Sequence, residues 1–140
     1  MSRATLIYDS DCGFCRWCLG KVLAWDRRRA VRPLALGTDE ANRLLRDMPR
    51  GEQMSSWHLI DEGGAVHSAG AGFTPLLRLL PGGAPLAALA ARLPEPTERA
   101  YRAVSGNRGI FGRLVTDGAK QRADARIAKH QVAATSGRPA

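Results

Sequence analysis

Cysteine is scarce in this chain, with three residues in 140, all between Cys12 and Cys18. A secreted disulfide framework would spread an even number along the sequence, so that class does not fit, and a reducing cytosol is the expected compartment. Long apolar runs are missing too. No stretch approaches the ~20 residues of a membrane span. Met1-Ser2-Arg3-Ala4 runs straight into the first expected strand without a signal-peptide pattern. Acidic residues thin out towards the end. Residues 1–98 carry 12 Lys/Arg against 11 Asp/Glu, whereas residues 99–140 carry 9 against 2. The net charge of +8 therefore belongs to the last third. Without aromatic interleaving for base stacking, that segment reads as a solvated extension, and nucleic acid is not an expected partner. The rest is ordinary: 44% hydrophobic and 24% charged residues suit one globular domain with a core of its own.

The most informative segment is Asp9-Ser10-Asp11-Cys12-Gly13-Phe14-Cys15. It follows a short apolar strand, Thr5-Leu6-Ile7-Tyr8, and opens a helix expected over about 13–28. A strand feeding Cys-x-x-Cys into a helix is the setting of thioredoxin-type redox chemistry. Unpaired backbone N–H groups and the positive end of the helix dipole favour an anion there, and the thiolate is the reactive form of cysteine. The second cysteine lies one turn on, within reach of a disulfide. Cys15, Leu19, Val22 and Leu23 share the helix's inward stripe, with Trp17 and Trp25 off it. Asp26-Arg27-Arg28-Arg29 is expected to end the helix, with cations near its negative end.

Further along, Val31–Leu36 reads as a second strand whose Pro33 argues for an edge. A turn and N-cap at 37–40 lead into a short helix to about Arg46, broken by Met48-Pro49-Arg50-Gly51. Ser56–Ile60 and Ala65–Ser68 read as a hairpin about Glu62-Gly63-Gly64. Helices are expected over 73–80, 85–93 and 98–104, with Pro94–Thr97 as linker and cap. Residues 117–133 can form a helix with a weak apolar face, and Thr135–Ala140 reads as disordered. The order β-α-β-α-β-β-α predicts an α/β, thioredoxin-like fold: a four-stranded mixed sheet, flanking helices and a C-terminal helical extension. The expected division is a redox domain over 1–115 and a basic helical or disordered tail over 116–140.

Cys12 is the candidate nucleophile and Cys15 the resolving thiol. Asp11 opposes Cys12, because a nearby carboxylate disfavours a thiolate; its simpler role is turn and cap chemistry. Asp9 is balanced between capping and proton transfer to the second thiol. Cys18, three residues beyond Cys15, is an alternative resolving thiol or, more simply, a small core residue. A metal site would need a fourth ligand from His58 or His67; both read as ordinary strand residues, and no metal or cofactor is expected. Tyr8-Asp9-Ser10-Asp11 is also similar to the Asp-x-Asp of haloacid-dehalogenase-type phosphatases, but the paired acidic and lysine motifs of that chemistry are missing. A non-catalytic binding module with a basic tail is the other alternative.

Asp9, Cys12 and Cys15 resemble the Asp-x-x-Cys-x-x-Cys motif of the DCC family of thiol-disulfide oxidoreductases. Leu59–Val66 looks like that family's hairpin, Ala71–Leu80 its following helix, and Tyr101–Arg113 its C-terminal signature. The resemblance spans about residues 5–115. It implies a thioredoxin-like fold and a redox role, with Arg108 in the signature as an auxiliary residue able to meet an anion. The partner it implies is a protein or small-molecule thiol or disulfide that it does not name. Where thioredoxins proper carry a cis-proline before the third strand, this chain reads Gln53-Met54-Ser55-Ser56-Trp57. A backbone cradle for an extended peptide is therefore not implied.

Overall fold

The computed structural model describes residues 4–136, with side chains described as far as Gln131. The expectations for the leader-free start at Met1–Arg3 and for disorder beyond Ser136 lie outside the described residues.

Strand β1 (Ala4–Tyr8) is buried at all five positions, as a near-continuous apolar run predicts. Strand β2 (Val31–Ala35) lies parallel to it, with Ala4 opposite Val31 and Tyr8 opposite Ala35. Strand β3 (His58–Ile60) runs antiparallel on the other side, and β4 (Val66–Ser68) pairs antiparallel with β3. The order β2-β1-β3-β4 leaves β2 at an edge, where Pro33 costs no ladder bond to a further strand. Helix α1 (Gly13–Trp25) is the crossover between the parallel strands. This is the thioredoxin-like fold, and its site lies where β1 hands over to α1.

Side-chain alternation along β1 builds two layers. Ala4, Leu6 and Tyr8 pack with Leu19 and Leu23 of α1, Leu76 of α4 (Phe73–Leu79) and Ile127 of α8 (Asp117–Ser136). Ile7 points the other way, onto Ala41 and Leu45 at α2 (Asp39–Leu44) and Ile60 of β3.

Several boundaries differ from expectation. Helix α1 stops at Trp25 because Asp26, only 2% exposed, turns its carboxylate back onto the chain. It accepts the N–H of Ala30 at 3.0 Å and of Val31 at 2.8 Å, tying the helix end to the start of β2. The three arginines thus follow the helix instead of occupying its last turn. The strands of the hairpin are shorter than predicted, because Asp61 takes over the turn: its carboxylate accepts the N–H of Gly63 and Ala65, and Gly64 adopts φ 86°. Past the break at Pro49, a further short helix forms, α3 (Arg50–Ser55). Pro94–Thr97 is the first turn of α6 (Pro94–Gly106), not a linker; proline is tolerated there because those N–H groups have no intrahelical acceptor. Helix α5 (Ala84–Arg92) precedes it, and Arg108–Leu114 forms α7 in the signature segment.

Helix α8 docks along α1, so the weak apolar face is a working one. Ala123, Ile127 and His130 are buried on it, and Ala123 closes directly on Gly20. Arg16 of α1 meets Asp124 of α8 at 3.4 Å. Thr135 and Ser136 are the end of this helix.

Candidate active site

The turn between β1 and α1 is made by its own polar groups. Asp9 Oδ1 accepts the N–H of Asp11 at 3.0 Å, and the Asp9 carbonyl accepts from Cys12 at 3.4 Å. This is Asx-turn chemistry, and Asp9 does it, while Asp11 stays exposed. Cys12 is then the N-cap, in extended conformation, and its Sγ accepts the N–H of Cys15 at 3.2 Å. The capping acceptor is usually an oxygen; here it is the sulfur of a half-buried thiol.

Cys15 faces inward at the first turn. Arg108, at the start of α7, places Nη1 3.8 Å from its Sγ. The two residues are 93 positions apart. Phe111, one turn further along α7, stacks on Phe14 with centroids 5.5 Å apart, and Phe14 stacks on Trp17 at 6.0 Å. The signature segment therefore folds back over the Cys-x-x-Cys turn. Cys18 lies deeper along α1, half-buried, on the wall of the same cavity as Asp9, Cys15 and Arg108.

The opposite wall is the segment where proline is absent. Met54, Ser56 and Trp57 line the cavity. His58 anchors this segment. Its Nε2 lies 3.0 Å from the Gln53 carbonyl, which can only accept, so Nε2 carries the proton. Nδ1 then accepts from the Ser68 hydroxyl at 2.6 Å. Burial lowers the pKa of His58 and keeps the ring neutral for that pattern. Gln53 in turn donates to the carbonyls of Leu45 and Met48. His67 bonds Asp61 at 2.9 Å on the hairpin. Neither histidine is brought to the cysteines, and the described residues hold no group of three or more metal-ligating side chains.

Of the basic residues read as a solvated face, Arg99 and Arg102 form exposed pairs with Glu95 and Glu98, and Arg122, Arg126 and Lys129 are exposed. Arg108 and Lys120 are the exceptions. The Lys120 stem lies over Gly13, where its Cε would stand 3.2 Å from an added Cβ. Sequence reasoning missed Lys120, Phe111 and the 54–57 wall, because no local period marks a contact made across the fold.

The sequence matches the description DCC1-like thiol-disulfide oxidoreductase over residues 6–113. The chain belongs to that family. No curated protein and no solved structure matches it. In this DCC1-like protein the matched stretch includes the Cys-x-x-Cys turn and nearly all of α7, and stops before α8. Among its described residues, no helix is long and apolar enough to cross a membrane.

The inner thiols hold their protons tightly. Burial, then the neighbouring Cys12, pushes Cys15 up from 9.0 to about 12, against the opposing pull of Arg108. Burial, then Cys12, pushes Cys18 to about 11. A thiol whose folded pKa is raised contributes stability below its unfolded value and loses it as pH climbs towards the folded value. The urea midpoint of the reduced protein is therefore expected to fall between about pH 9 and about pH 11–12. The fall should be shallower in Cys15→Ala/Cys18→Ala, measured side by side. Parallel curves for the two proteins would show that these thiols are not the cause.

Proposed function

We propose that the protein exchanges thiols and disulfides, with Cys12 attacking and Cys15 resolving. The observation that carries this is the capping bond. Cys12 sulfur receives a backbone N–H at the positive end of α1, a contact that strengthens as negative charge gathers on sulfur. Cys12 thiolate attacks one sulfur of a substrate disulfide. The substrate S–S bond breaks, one half leaves as thiolate and takes a proton, and the other half stays on Cys12. Cys15 then gives up its proton and attacks the Cys12 sulfur, and the second half leaves. Two electrons pass from the protein dithiol to the substrate, and the protein ends as a Cys12–Cys15 disulfide; the reverse sequence oxidises a dithiol.

Asp9 lines the same cavity as Cys15, which supports giving its carboxylate the part of proton acceptor in this mechanism. Arg108 stabilises the thiolate that this creates. Cys18 is not required. The cysteine usage in the sequence supports work in a reducing compartment.

The test is a redox titration. The protein is equilibrated in graded thiol/disulfide buffers, free thiols are trapped by alkylation, and the products are counted by mass. A reversible two-electron couple between about −300 and −120 mV is expected, kept in Cys18→Ser and lost in Cys12→Ser. No disulfide across that range would sink the redox reading and leave a binding module in its place.

A further inference from the structure

Helix α6 has a pronounced apolar stripe, Thr97, Ala100, Tyr101 and Val104, at helical spacing, yet none of its thirteen residues is buried. All four line a cavity of about 510 Å³ that α6 closes against β1, α1 and α4. An amphipathic helix ordinarily lays such a stripe on side chains. Here α6 touches the core edge-on, with the Tyr101 ring 6.2 Å from Phe73 of α4, and is fastened on either side of that contact. At one end Glu98 accepts the N–H of Gly70 at 2.8 Å, a close approach that glycine allows. At the other end the chain enters α7, which is fastened by Arg108 beside Cys15 and Phe111 on Phe14. The gap between these fixings is lined by hydrocarbon and aromatic groups, Leu6, Leu19, Val22, Trp57 and Leu76 among them.

Two charged residues border the cavity, Asp9 and Arg108. Asp9 has a backbone N–H on its carboxylate. Arg108 is half-buried, and among the described residues it has no carboxylate partner; the Cys15 thiol is what it meets. A half-buried guanidinium that faces only a protonated thiol while the protein is at rest can take a ligand's anion. The volume lies in the range of small-molecule sites, ~300–1,000 Å³.

We propose that this cavity binds a small amphiphile, with a hydrocarbon or aromatic body under α6 and a single anionic head on Arg108. The site stands whether or not the cysteines are redox-active, and it is expected to persist in Cys12→Ser.

The probes are decanoate and decanol, which share a body and differ in the head. Each is titrated calorimetrically into the full chain, reduced, below its aggregation limit. Saturable binding of one decanoate per chain is expected, about tenfold tighter than decanol, with that preference lost in Arg108→Gln. Ala100→Trp and Val104→Phe, which fill the cavity from α6, should abolish binding while melting no lower than the parent. A second readout needs no variant. Saturating decanoate should slow iodoacetamide alkylation of Cys18, which lines the cavity, several-fold, and leave Cys12 unchanged. Absence of saturable binding, or binding that leaves Cys18 unprotected, would overturn the site; equal affinity for the two probes would overturn the anionic head. Neither result would bear on the Cys12–Cys15 couple, which the redox titration tests by itself.

Discussion

Cys15→Ser is expected to stop turnover while leaving the first attack intact, so that a mixed disulfide accumulates on Cys12. Cys12→Ser should give no mixed disulfide at all. Both lose catalysis by roughly 10³-fold or more, because residues that act as a unit fail together; the trapped adduct tells them apart. The asymmetry follows from position. Cys12 sits at the mouth of the turn with a backbone N–H on its sulfur, whereas Cys15 is turned into the cavity wall. Burial holds the Cys15 thiol well above the ordinary cysteine range, so at pH 7 it is protonated nearly all the time. In the proposed mechanism resolution should then be the slow step in the reducing direction, governed by whatever stabilises that thiolate. Arg108, at 3.8 Å from the Cys15 sulfur, is the group expected to do so. In Arg108→Gln the mixed disulfide on Cys12 should live about tenfold longer, with the rate of the first attack little changed. Intact-mass kinetics with a small aromatic disulfide separate the two phases. An adduct on Cys15 in Cys12→Ser, formed as fast as the Cys12 adduct in the parent protein, would reverse the assignment.

The parts of this arrangement that could be read from the chain are those made by neighbours in sequence. β1 is legible because five successive buried positions make an apolar run. The hairpin is legible because Asp61 and Gly64 are turn residues by their own chemistry. The cysteine turn is legible because strand, N-cap and first helical turn span a dozen residues. What was not legible depends on distant partners. Helix α3 has no buried residue and contains Gly51, so no period marks it. The two prolines at 94 and 96 look like a linker until one sees that the first turn of a helix has no use for those N–H groups. Arg108 reaches Cys15 across 93 residues of chain; only the family resemblance drew attention to it. The buried face of α8 is Ala123, Ile127 and His130, spaced correctly for a helix but too small and too polar to register as an apolar stripe.

That face sets up the largest expected effect on stability. Gly20 lies in the middle of α1 and is buried there, although glycine in a helix interior costs about 1 kcal/mol relative to alanine. Its presence is explained across the helix pair. An added Cβ would stand 2.6 Å from the Cβ of Ala123 and 2.9 Å from its Cα. Two small residues thus let α1 and α8 approach almost to backbone contact. Gly20→Ala gains helix propensity and loses packing, and the loss should prevail by about 1–2 kcal/mol. Gly20→Val adds a branched side chain where no atom fits and should cost about 3 kcal/mol, read as a lowered urea midpoint at unchanged slope. Ala123→Gly removes the nearer of the two clashes but not the Ala123 Cα, so it should rescue Gly20→Ala in part, and the double-mutant cycle should report a coupling of about 1 kcal/mol. If Gly20→Val instead melts like the parent, α8 is not docked on α1 as described. The cycle also bears on the cysteines, because α8 carries Lys120 over Gly13 and Asp124 onto Arg16. Displacing α8 should therefore open the Cys12 turn to solvent, and alkylation of Cys12 should quicken in Gly20→Val and return towards the parent rate as the Ala123→Gly rescue restores the contact in Gly20→Ala.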